Sequence, residues 1–160
     1  MMGRTHLVFG VTCSAVASAH FGVRLDHAVA GAVVAAITSA GWTSPDGDQS
    51  WLRWIVPGPH RGFWHWWGLP VLVAGGLAGA GGPWWAWFAV LGWTSHLVGD
   101  FAFGENGGIP LLPCKPWLCV GVGRLTPGKW MLASGGLVER KLLWVIPVGG
   151  VALVATGRIG

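Results

Sequence analysis

Five apolar stretches, set apart by Gly- and Pro-rich or polar segments, organise the chain: about residues 5–22, 26–42, 63–81, 83–103 and 142–156. Each predicts a helix, although several fall short of the ~20 residues needed to cross the hydrocarbon core of a bilayer. The first carries Thr, Cys and Ser along its length. We read all five as helices packed against one another, with kinks at Pro70 and Pro147. Only residues 23–25 separate the first two, and Gly82 with Pro83 the third and fourth. Such short connections predict antiparallel neighbours.

Two longer segments break the pattern. Residues 43–62 hold Pro45, Asp46, Gly47, Asp48, Pro57 and Pro59 and read as a loop. Residues 104–141 hold Pro110, Pro113, Pro116 and Pro127, with two apolar pieces at 117–122 and 130–138. These pieces are too short to span and are expected at the interface or re-entering. No internal repeat is visible. The expectation is an all-α, polytopic transmembrane bundle of about five helices, one domain over residues 1–160.

Composition sharpens this. Hydrophobic residues make up 52% and charged residues 10%, against about 25% charged in soluble domains. So few charges cannot cover a globular surface, which argues against an ordinary soluble enzyme, a disordered tail and a basic nucleic-acid-binding domain. The 13 Trp and absent Tyr suit a membrane–water interface, where Trp gathers. The 28 Gly residues follow no collagen period and suit close helix packing in lipid. The three cysteines, Cys13, Cys114 and Cys119, form no C-x-x-C pair; Cys114 and Cys119 could bridge across a loop, but an odd count at these spacings is weak evidence for either zinc or a disulfide framework. Arg4, the first apolar run and Ala17-Ser18-Ala19 together resemble a cleavable leader. The polar residues inside that run favour a retained helix instead; cleavage would remove His6.

Charge sets the expected orientation. If all five helices span, Arg4, Arg53, Arg61, Lys115, Arg124, Lys129, Arg140 and Lys141 share one side, and Arg24 and Arg158 the other. The positive-inside bias puts the first side, with the N-terminus, in the cytoplasm.

The ionisable residues are clustered. His96 and Asp100 are four apart near the end of the fourth stretch, so both lie on one helix face. Imidazole and carboxylate there form half a site for Zn²⁺ or a similar divalent ion, against the plainer reading of a His–Asp hydrogen bond in a bundle. Ionisable groups inside an apolar span are costly and tip the balance toward function. Asp46 and Asp48 flank Gly47 in a turn too short for an EF-hand; alone they read as turn residues. His60 and His65 flank the entry to the third stretch, His60 on the loop and His65 on the helix. Arg61 between them suits a phosphate or a positive-inside charge. His20 and His27 fall on the opposite side and read as structural or interfacial. In the five-span arrangement His6, Asp46, Asp48, His60, His65, His96 and Asp100 all fall toward one membrane face. Four His and three Asp exceed one metal's needs and suit two metals sharing a carboxylate, or one metal with supporting groups.

This ordered set resembles the YdjM-like family of membrane-bound, predicted metal-dependent hydrolases. The resemblance rests on Thr5-His6 before a small-residue helix, Pro45-Asp46-Gly47-Asp48, His60-Arg61-Gly62 with His65, and His96-x-x-x-Asp100. Gly104 and Pro110-Leu111-Leu112-Pro113 follow, so it covers most of the chain up to about Pro113. Gly47 stands where the family usually has an apolar residue, and Trp64 where Thr or Ser is usual. The family looks distantly related to the zinc-dependent phospholipase C and single-strand nuclease superfamily, which implies a helical bundle whose His and Asp ligands serve phosphoester hydrolysis. By that analogy His6, Asp48, His60 or His65, His96 and Asp100 are metal ligands.

The resulting expectation is a membrane-bound hydrolase of the bacterial inner membrane, its site facing the cytoplasm. It acts on a phosphoester or other ester, lipid-linked by its location. His6, Asp48, His60, His65, His96 and Asp100 hold one to three divalent ions, zinc being the expected identity. Asp46 is a supporting group, bridging ligand or general base, and Arg61 steadies an anionic substrate. The bilayer is the expected partner, and nucleic acid is not. The rival reading is a non-enzymatic metal-binding membrane protein or divalent-ion transporter; a bare scaffold would make the seven residues incidental.

Overall fold

The first two apolar stretches form α1 (Gly3–His20) and α2 (Leu25–Ala40), and the fourth forms α4 (Trp84–Phe103). The third forms a shorter helix than its apolar run predicts, α3 (Gly68–Ala80). These elements come from a computed structural model, which describes residues 3–58, 60, 62–103, 109–113, 119–120, 141, 145 and 147–150. Among them the architecture is all-helical apart from one antiparallel pairing of two short strands, β1 (Ile109–Pro110) and β2 (Cys119–Val120).

The loop between α2 and α3 holds 3₁₀ turns over Pro45–Gln49, Leu52–Trp54 and Phe63–His65. His65 therefore sits on a separate turn ahead of α3, not on the helix expected over 63–81. Trp66 is extended, with ψ 120°, and breaks the two apart. Pro70 does not kink α3. It lies in the first turn, where a missing N–H leaves no helical hydrogen bond unmade.

Of the expected fifth helix, residues 145 and 147–150 are described and helical. Gly150 lies against Thr12 and Val16 of α1. Residues 142–144 and 146, on which the expected kink at Pro147 depends, lie outside the described residues, as do 151–156. So do the pieces at 117–122 and 130–138, apart from the two residues of β2.

The helices pack through small residues. Gly31, Ala35 and Ser39 are the buried face of α2. A Cβ at Gly92 of α4 would overlap the Thr38 side chain and the Ala35 carbonyl. On the other side, Gly10 of α1 sits so close that a Cβ would meet the same carbonyl at 2.9 Å. Both helices thus approach α2 backbone to backbone, as small residues permit.

The interior is unusually polar. Thr5, His6, Ser14 and Ser18 of α1 are buried, as are Ser95, His96 and Asp100 of α4. Thr5, Ser14 and Ser18, which interrupt the first apolar stretch, thus lie on its inward face. Leu25, Val29, Val33 and Ile37, four apart, form an exposed apolar stripe on α2. No described helix is long and apolar enough to cross a membrane. α2 has 16 residues and α3 has 13, while α1 carries Arg4, His6 and several hydroxyls.

Candidate metal centre

The polar interior ends in a cluster built from α1, α4 and the loop between α2 and α3. α4 supplies His96 and Asp100, and α1 supplies His6 from its first turn. The turn Pro45–Gln49 supplies Asp46 and Asp48. His60 comes from the loop and His65 from the turn Phe63–His65. All seven residues singled out in the sequence as candidate ligands or supporting groups meet here. Arg61 lies outside the described residues.

Two groups have metal-ligating geometry: His6 with His96 and Asp100, and Asp46 with His60 and His65. Within each, the donor atoms lie within 4.8 Å of one another. In the first, His6 Nε2 is 3.4 Å from Asp100 Oδ1 and His96 Nε2 is 3.6 Å from Asp100 Oδ2. The His6 and His96 rings stack at 3.8 Å. In the second, Asp46 Oδ1 is 3.2 Å from His65 Nε2 and 4.0 Å from His60 Nε2.

The groups touch. Asp46 Oδ1 is also 3.6 Å from His96 Nε2, and Asp100 Oδ2 is 3.7 Å from His65 Nε2. Asp48 belongs to neither group. Its Oδ1 is 2.7 Å from His60 Nδ1 and its Oδ2 is 3.1 Å from His65 Nδ1.

Hydrogen bonding tests whether a cation fits. His96 donates from Nδ1 to the backbone carbonyl of Ser39 at 2.7 Å. A carbonyl only accepts, so the proton sits on Nδ1. Nε2 is then a buried nitrogen without a hydrogen-bond partner, facing carboxylates that also only accept. Buried polar atoms in this state call for a missing partner. A divalent cation among imidazole nitrogens and carboxylate oxygens is such a partner, and the mixed donor set suits zinc or a similar ion.

The cluster is open on one side. His6, His65, His96, Asp48 and Asp100 are buried, whereas the His60 and Asp46 side chains remain 40% and 42% exposed.

A family model described as YdjM inner membrane protein matches residues 1–158. The chain belongs to the YdjM inner membrane protein family. The match runs well past residue 113, where the sequence resemblance was expected to end, and so includes the Pro- and Gly-rich segment after α4. No curated protein and no solved structure matches the chain.

Gly47, the departure from the usual YdjM pattern, has a steric explanation. A Cβ there would overlap the Trp42 carbonyl and meet Leu52 Cδ1 at 2.9 Å. An apolar side chain has no room between the two aspartates of this YdjM-family chain.

Electrostatics in the loop follow from the contacts. Burial pushes the Asp48 carboxyl up, but hydrogen bonds from His60 and His65 outweigh it and hold its pKa well below the carboxylate range. Burial likewise raises Asp46, and the hydrogen bond and charge of His65 bring it below its usual value. Burial lowers His65, but Asp46 and Asp48 together raise it above the ordinary imidazole pKa.

The structure adds Ser39 and Gln49 to the site. Ser39 acts through its backbone carbonyl, which no side-chain pattern reveals. Gln49 Nε2 lies 3.5 Å from His60 Nε2; its place beside Asp48 was the only signal. His20 and His27 stay apart from the cluster, packed against Phe21 and Trp84 respectively.

Proposed function

We propose that this chain is a membrane-embedded, metal-dependent hydrolase acting on a phosphoester or another ester. The observation that carries the proposal is the convergence of His6, His65 and His96 Nε2 on Asp46 and Asp100, with His96 Nε2 buried and lacking a proton donor. When bound there, a divalent ion such as zinc supplies positive charge for anionic oxygens and activates water for attack on an ester.

The residues divide the remaining work. His6, His96 and Asp100 hold an ion at the buried end. His60, His65 and Asp46 hold one at the open end, with Asp46 near both. Its partial exposure also suits Asp46 to take a proton from an attacking water. Arg61, next to His60 in sequence, steadies an anionic substrate. That the cluster opens at one end favours hydrolysis over transport, which needs ligands reachable from both sides.

The membrane reading is part of the proposal. The family description, the exposed apolar stripe on α2 and the polar, small-residue interior support a polytopic bundle in the inner membrane. The positive-inside bias supports a cytoplasmic N-terminus and site. A lipid or lipid-linked ester is then the substrate class nearest to hand.

The test is hydrolysis of phosphoester and carboxyester substrates by purified protein in detergent or vesicles. Activity should vanish on chelation, return with added metal, and be absent from the His96→Ala/Asp100→Ala variant. Metal binding without hydrolysis of either substrate class would favour the non-enzymatic reading.

A further inference from the structure

We infer that Asp48 is not a metal ligand but a positioning residue, whose carboxylate fixes the tautomer and aim of both His60 and His65. Asp46 is the ligand of the pair. The inference rests on the metal-centre reading above and reverses the assignment that the family resemblance implies for these two aspartates.

The turn sets their directions. In a 3₁₀ helix three residues complete one turn, so residues two apart point about 240° around the axis from each other. Asp46 and Asp48 lie two apart on the 3₁₀ turn Pro45–Gln49 and face different ways. Asp48 is turned inward and buried, while Asp46 stays partly exposed at the mouth.

Hydrogen bonding sets their roles. Asp48 spends one oxygen on each imidazole, Oδ1 on His60 Nδ1 at 2.7 Å and Oδ2 on His65 Nδ1 at 3.1 Å. A carboxylate accepts and cannot donate, so both Nδ1 atoms carry protons. In the neutral rings, both Nε2 lone pairs are then free for a cation. His65 Nε2 lies 3.2 Å from Asp46 Oδ1, so the imidazolium of the metal-free protein donates there too, and a cation entering beside Asp46 takes that proton's place. His60 Nε2 lies 3.5 Å from the Gln49 amide nitrogen, a donor that needs the same lone pair. Imidazole ligands of metals almost always donate their other N–H to such a group. Here one carboxylate serves two ligands at once.

The experiment has two arms. In the first, ¹⁵N NMR of histidine-labelled, metal-free wild-type protein is recorded at a pH where the shifts show neutral rings. Both His60 and His65 should carry their proton on Nδ1. A proton on Nε2 of either ring overturns the inference, whatever happens with metal. In the second arm, Zn²⁺ affinity and stoichiometry are measured for wild type, Asp48→Asn and Asp46→Ala. Asparagine can accept at only one of its two positions, so it cannot serve both rings. Asp48→Asn should keep the wild-type stoichiometry at saturating Zn²⁺ with affinity about 10–100-fold weaker, whereas Asp46→Ala should lose an equivalent. Loss of an equivalent from Asp48→Asn while Asp46→Ala keeps the full count would overturn the inference alone. Wild type that binds no Zn²⁺ would overturn the metal-centre reading beneath it.

Discussion

His96 on α4 donates its Nδ1 proton to the backbone carbonyl of Ser39 on α2, at 2.7 Å and fully buried. One imidazole thereby ties two helices together and aims its other nitrogen at Asp46 and Asp100. In His96→Ala the Ser39 carbonyl loses this donor inside the bundle, which costs about 1–3 kcal/mol. The variant should melt below wild type in detergent. Added Zn²⁺ should raise the wild-type melting temperature by preferential binding to the folded state and raise the variant's by less, because only the group of Asp46, His60 and His65 is left intact.

The protonation of the loop groups fixes the pH behaviour of metal-free protein. The raised pKa of His65 means its contribution is complete below the unfolded imidazole value of about 6.5 and fades as pH rises through the folded value. The depressed pKa of Asp48 gives a contribution complete above about 3.9 that fades as pH falls toward the folded value. Thermal melts in chelator should therefore show greatest stability between these limits, with losses on both sides. A cation must displace the His65 proton, so Zn²⁺ affinity should weaken as pH falls through the raised His65 value. Zinc titrations across that range check it, and a flat profile would contradict it.

Gly47→Ala tests whether the turn holding the two aspartates depends on space. The new methyl would overlap the Trp42 carbonyl and press on Leu52. Overpacking of this kind costs about 1–3 kcal/mol. The variant should unfold at lower temperature and bind metal more weakly, because Asp46 and Asp48 move with the turn. Unchanged melting and affinity would show that the turn yields freely.

The outward stripe of α2 predicts a labelling pattern. In a background lacking Cys13, Cys114 and Cys119, Val33→Cys should resist a membrane-impermeant maleimide on intact and on inverted vesicles. Gln49→Cys should be labelled only when the cytoplasmic face is exposed. Labelling of residue 33 from water would contradict burial of that face in lipid, and labelling of residue 49 from the periplasmic side would reverse the orientation.

Some of this organisation was legible in the chain and some was not. The four-residue spacing of His96 and Asp100 survives as one helix face because α4 is regular through both. α1, α2 and α4 follow their apolar runs closely. Hydropathy could not find the start of α3, since Phe63, Trp64, Trp66 and Trp67 continue the run although the chain turns between His65 and Gly68. The different directions of Asp46 and Asp48 were hidden for a related reason. A P-D-G-D string reads as a loop, and only the 3₁₀ geometry separates its two carboxylates. The Ser39 carbonyl left no trace, being backbone. The polar residues of α1 were visible, but their burial depends on the small-residue contacts with α2 and α4.

His6, His96, Asp100, Asp46, His60 and His65 are proposed to hold metal. Elemental analysis of purified wild type beside His96→Ala/Asp100→Ala tests this most directly. A divalent metal should co-purify with wild type and be clearly depleted in the double variant, with both still folded by circular dichroism. Equal metal content in two folded proteins would contradict it.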